Sequence, residues 1–168
     1  MGYTHYWSYL PESEQWQAAF PRLLGDTRTI LDHLAAHGIP TASAHGDGEP
    51  LLTAGEIVFN GAAPDDYESF ILGTTQDPNT RHRTWRGELF TWDFCKTAYR
   101  PYDLAVTSVL LRARQLAPWH FSIGSDGSWH SDWKTARELI AALFEPFTES
   151  DALTDTVDGP PILLVHDR

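Results

Sequence analysis

The sequence predicts an α+β fold: a mainly antiparallel sheet around a central hairpin (about 67–75 and 89–97), with helices packed on one face. Two observations carry this. Tyr67–Thr75 and Glu88–Thr97 both alternate at period 2, as strands do. Folded into a hairpin, they match Phe70 to Phe94, Leu72 to Trp92 and Glu68 to Lys96, with the aromatic set inward. The element order β-α-β-β-β-α-β-α, with a final strand at 162–165, then disfavours a doubly wound parallel sheet.

Taken in order, Tyr3 to Leu10 reads as a strand with Tyr3, His5, Trp7 and Tyr9 on one face. Ser13 is placed to cap a helix. Pro21 is expected to break that turn and open a longer helix, carried by Leu23, Leu24, Thr27, Ile30, Leu31 and Leu34 and stopped at Gly38. Residues 40–55 read as a loop and Glu56–Asn60 as a short strand. The hairpin loop, about 76–87, gathers Arg81, His82, Arg83 and Arg86. Asp103 opens a helix with a Val106, Val109, Leu110 and Ala113 stripe. Trp119–Ile123 reads as a strand, Gly124-Ser-Asp-Gly127 as a plain turn, and Ser131 as the cap of a last helix. The expected division is a domain over 1–147 and an acidic, partly mobile tail over 148–168.

The formal net charge of −11 repels the phosphates of DNA and RNA, so general nucleic-acid binding is not expected. A single nucleotide in a local basic pocket remains compatible with it. One cysteine, Cys95, forms no internal disulfide and suits a reducing compartment. The N-terminus lacks the pattern of a signal peptide, and no apolar run nears the ~20 residues of a membrane span. The expectation is a cytoplasmic protein without membrane association. No Walker loop, dinucleotide fingerprint, nucleophile elbow or His-Glu-x-x-His occurs. The eight His are scattered without ligand spacing, so neither a metal nor a cofactor is expected.

The candidate catalytic residues are Glu68, Lys96 and Asp103. The predicted register sets Glu68 opposite Lys96 on the core face, where a desolvated acid and base bind an anion or move a proton. A plain cross-strand ion pair explains the same spacing. Asp103 stands near them in sequence, although helix capping alone accounts for it. The candidate ligand-binding residues are His5 and Trp7 on the first aromatic strand, Asn60 at a strand end, and Trp92 and Tyr102. Arg81 and Arg83 join them as partners for a phosphate. Cys95 reads as packing.

The run Phe94-Cys-Lys-Thr-Ala-Tyr-Arg-Pro-Tyr-Asp103 follows Phe59-Asn-Gly61 and Glu68-Ser-Phe70. Together with the opening Met-Gly-Tyr-Thr-His-Tyr-Trp7 and the later Ser125-Asp-Gly127 and Trp133, it resembles a group of small proteins of phage and bacterial genomes. The resemblance reaches from residue 1 to about 144. It implies a complete protein and lends no catalytic residues.

Two functions follow as expectations. The first is an enzyme acting on a small polar ligand with a flat, nucleotide- or nucleoside-like ring, stacked on aromatic residues beside the Glu68–Lys96 pair. The second is a non-catalytic module that binds a small ligand or a protein.

Overall fold

The computed structural model of the chain describes residues 2–75, 89–154 and the backbone of 81–83. Strand β1 (Thr4–Tyr9) is the organising element. Its alternation sends Tyr3, His5, Trp7 and Tyr9 into the interior, all buried. Both of its edges are occupied by antiparallel partners, β7 (Leu89–Lys96) and β8 (Phe121–Ser125). Short β6 (Arg81–Arg83) adds to the far side of β7, giving the order β6-β7-β1-β8.

A second antiparallel sheet is built on β4 (Glu56–Gly61). It pairs with β2 (Thr41–Ala42), β3 (Leu51–Leu52) and β5 (Phe70–Gly73). Phe59 and Phe70 meet across this sheet with ring centroids 5.0 Å apart, and Phe70 packs on Trp7 of the first sheet at 5.1 Å. That contact joins the two sheets in one apolar core.

Three helices complete the α+β architecture. In α1 (Glu14–Ala36) the Ser13 hydroxyl accepts the Trp16 N–H at 3.1 Å, the N-cap that the sequence predicts. At the other end Gly38 takes φ +84°, and Ile39 N–H reaches Leu34 O at 2.9 Å. This is a Schellman closure, and it needs a residue without a Cβ penalty. Helix α2 (Asp103–Leu116) is buried continuously from Ala105 to Ala113, enclosed on all sides by its neighbours. Arg112 is the cost of that enclosure. Its guanidinium, fully buried, bonds Asp26 of α1 at 2.7 Å and Glu145 beyond α3 (Lys134–Leu143) at 2.8 Å. Among the described residues no helix is long and apolar enough to cross a membrane.

Several expectations are corrected. The predicted hairpin does not form: β5 pairs with β4, Phe70 facing Phe59, while β7 pairs with β1, Phe94 facing Tyr6 and Trp92 facing Ser8. The facing of β7 is also reversed. Thr91 and Cys95 are buried, and Phe94 is 46% exposed on the outer face. Volume explains this. Trp7, Tyr9 and Phe70 already fill the space beneath the sheet, so the small side chains of β7 fit there and the large ones do not. Pro21 lies inside α1 and does not divide it, because Trp16, Phe20 and Leu23 keep one continuous buried face across it. The last helix begins at Lys134 without a side-chain cap. The Ser131 hydroxyl bonds that of Ser128 instead. The strand expected over 119–123 runs from Phe121 to Ser125. The tail's first residues are attached: Ala152 is buried, and Thr154 N–H bonds Ile123 O at 2.8 Å. The strand expected at 162–165 lies outside the described residues.

Candidate functional site

The start of β1, the ends of β7 and β8 and the first turn of α2 meet at one corner of the molecule. His5 is fully buried there. Its Nε2 lies 2.7 Å from Asp103 Oδ1 and its Nδ1 2.8 Å from Ser125 Oγ. The Ser125 oxygen also accepts the Gly127 N–H at 2.9 Å and the Trp133 indole N–H at 3.0 Å. His5 thus bridges the Asp103 carboxylate and the Ser125 hydroxyl through its two ring nitrogens. Asp103 Oδ1 takes a second bond from the Thr97 hydroxyl at 2.5 Å.

The imidazole is gripped by rings as well. Tyr3 and Trp133 both meet it edge-on, with centroids at 4.9 and 5.1 Å and planes at 85°. Tyr3 in turn stacks on Tyr99 at 3.8 Å. Tyr99 is 66% exposed, and it and Ala98 hold φ of +60° and +50°. Non-glycine residues in that region cost roughly 1–2 kcal/mol each. The Tyr3 carbonyl compensates part of this by accepting the Thr97 and Ala98 N–H groups. Gly127 permits the Tyr3 approach: a Cβ there would sit 2.2 Å from the Tyr3 hydroxyl. Burial, then the negative Asp103 and Asp132, push the Tyr3 phenol well above its ordinary range.

Glu68 and Lys96 do come together, but not as an ion pair. Glu68 Oε2 accepts the backbone N–H of Lys96 at 2.7 Å, and Glu68 N–H returns a long bond to Lys96 O. The Glu68 carbonyl accepts from the Tyr102 hydroxyl at 2.6 Å and the Cys95 thiol at 3.3 Å. Glu68 thus terminates β7. The Lys96 ammonium lies 5.8 Å from the Tyr67 ring centre. Burial, followed by Glu68, holds the Cys95 thiol far above its usual range. Burial and then Cys95 do the same to the Tyr102 phenol, so both stay protonated as donors.

The other candidates separate by burial. Trp7 is fully buried in the core. Asn60 spends its side chain on the chain itself, donating to Ala44 O and Tyr67 O and accepting from Gly61 and Tyr67 N–H. Trp92 stands on the outer face of the four-stranded sheet, its ring 6.5 Å from that of Tyr6 and only 7° from parallel. Phe94 lies 5.7 Å from Trp92 and 6.4 Å from Tyr6. Lys96 ends that same face. Arg81 and Arg83 take register positions opposite Thr91 and Leu89, and their side chains lie outside the described residues.

Sequence reasoning named His5 and Asp103 but missed Ser125, Thr97, Trp133 and Tyr3 as their partners. The run 124–127 reads as a plain turn, but Gly124 and Ser125 end β8, and nothing local signals the bond to a strand 120 residues away. Serine, histidine and aspartate in sequence of contact invite a nucleophile reading. The Ser125 hydroxyl is engaged by His5, by the Gly127 N–H and by the Trp133 indole, bonds that tie the end of β8 to β1 and to the start of α3. Among the described residues, no three His, Cys, Asp or Glu side chains gather to hold a metal ion. Comparison of the chain with protein families, curated proteins and solved structures finds no match.

Proposed function

We propose that the protein is a binding module that takes a small ligand with a planar ring on the outer face of its four-stranded sheet. One observation carries this reading: the near-parallel rings of Tyr6 and Trp92 beside half-exposed Phe94, on a face ended by Lys96. A planar ligand adds to this group as a further ring, a contact worth about 1–3 kcal/mol per base in comparable aromatic platforms. Lys96 has no carboxylate within ion-pair distance among the described residues, and its ammonium is available to one anionic group. The acidic surface disfavours long polyanions and leaves short ones, so a nucleoside monophosphate fits better than a nucleic acid.

Binding is favoured over turnover by how the acids are used. The Glu68 carboxylate holds a backbone N–H, and Asp103 holds His5 and Thr97. A catalytic role for Glu68 or Asp103 on the same ligand requires one of these bonds to be exchanged for substrate, whereas the Lys96 ammonium needs no such exchange.

The test is a thermal-shift titration with adenosine and adenosine monophosphate on wild type, Phe94→Ala and Lys96→Met. Wild type is expected to gain stability with both, by about 2.7 kcal/mol at a hundredfold excess over Kd. Lys96→Met keeps the gain with adenosine and loses most of the extra gain with the monophosphate. Phe94→Ala weakens both. A wild type that neither ligand stabilises, or a gain untouched by Phe94→Ala, overturns the reading.

A further inference from the structure

Helix α1 repeats one charged spacing twice. Arg22 and Asp26, four residues apart, pair at 3.7 Å, and Asp26 also meets Arg112. Arg28 and Asp32 have the same spacing and the same order, so pairing is the local expectation. They form no ion pair with each other or with any described residue, and neither does Glu49. All three stand on the rim of one cleft of about 250 Å³ between the second half of α1 and the β2–β3 connection. Leu31, Ala35 and Leu52 give it apolar lining.

The far wall is pre-formed. Ser43 N–H bonds Asp47 O at 3.0 Å, and Gly46 holds φ +81°. Ala44 O is gripped by both Asn60 Nδ2 and the Ser69 hydroxyl at 3.2 and 2.8 Å. The loop that carries Glu49 is thereby tied to β4, and little ordering is left for a ligand to supply.

We propose that this cleft binds a small zwitterion, an α-amino acid with a short aliphatic side chain. The ammonium lies between Asp32 and Glu49, the carboxylate meets the Arg28 guanidinium, and the side chain covers Leu31 and Leu52. Each part answers to a feature of the cleft. Arg is suited to a planar carboxylate, which it meets with two parallel bonds. Two carboxylates and one guanidinium complement a molecule with both charges better than a simple anion. The volume falls below the roughly 300–1,000 Å³ of drug-sized ligand sites, which sets the size of the occupant. The site is separate from the sheet's aromatic face, and the inference stands without that reading.

The probe is L-valine, followed by amide chemical shifts in the full chain, against isobutylamine, which lacks the carboxylate, and isovalerate, which lacks the amine. Valine is expected to shift residues 28–35 and 49–52 saturably, with both half-molecules at least about tenfold weaker. Arg28→Gln should bring valine down to the level of isobutylamine. Ala35→Trp, at an exposed position of the lining, should block the cleft while the remaining shifts show an intact fold. No localised saturable shift with valine, equal binding of all three molecules, or undiminished binding in either variant overturns the proposal.

Discussion

His5 shows at the level of one side chain how a polar group is made tolerable in a core. Both ring nitrogens are bonded, and two aromatic rings enclose the imidazole edge-on. Removing it takes one hydrogen-bond partner from Ser125 and one from Asp103, and opens a cavity. His5→Ala is therefore expected to destabilise by about 2–4 kcal/mol, and Asp103→Asn by about 1–3 kcal/mol. In a double-mutant cycle the two should couple, by about 0.5–3 kcal/mol. Urea unfolding of the three variants measures this, and a His5→Ala cost below about 0.5 kcal/mol would show that the network does not hold the corner. The legibility of these residues was uneven. Asp103 is visible as a helix start and His5 as an inward strand position. Their contact is not visible, because 98 residues separate them.

At the scale of elements, α1 carries one feature that the chain holds against local preference. Pro21 sits in its interior, where the ring removes the bond its N–H would make to the preceding turn and crowds that turn's carbonyl. The buried stripe of Trp16, Phe20, Leu23, Ile30 and Leu34 outweighs this and keeps the helix continuous. Pro21 is exposed, so Pro21→Ala is expected to restore the bond without disturbing the core and to stabilise by about 1–3 kcal/mol. Ser13→Ala should cost about 1 kcal/mol through loss of the cap. Thermal denaturation of both variants is the check. A destabilised Pro21→Ala would mean that a bend at this position is needed for packing.

The whole molecule has a common alkaline weakness. Tyr3 just before β1, Tyr9 at its end, Cys95 from β7 and Tyr102 at the start of α2 are all raised above their ordinary values by burial, Tyr9 to about 12. In the unfolded chain these groups lose protons at about pH 8.5 for cysteine and about pH 10 for tyrosine. Between those values and the raised ones the folded state binds more protons, so the stability they lend is complete below about pH 8.5 and falls as pH rises. Each group contributes at most about 1.4 kcal/mol per pH unit to that slope. Melting temperature is expected to drop steeply between about pH 9 and 11. A flat profile there would contradict the burial of these phenols and the thiol. The same profile in Tyr9→Phe should be shallower.

Local periodicity was enough to find the first strand and its inward face, the N-cap at Ser13, the stop at Gly38 and the helix from Asp103. Each depends on residues within a turn or two of one another. Periodicity also placed a strand with two distinct faces at about 89–97, where β7 runs from Leu89 to Lys96. It could not say which face turns inward, because both were chemically plausible and the choice depends on volume already filled by Trp7, Tyr9 and Phe70. Pairing failed for the same reason. Phe70 matches Phe94 in pattern as well as it matches Phe59, and only the joint packing of two sheets against α1 and α2 decides between them. The candidate site divided along that line: residue types and strand faces are local properties, while His5 meeting Asp103 and Ser125 is a consequence of three strands and a helix closing on one core.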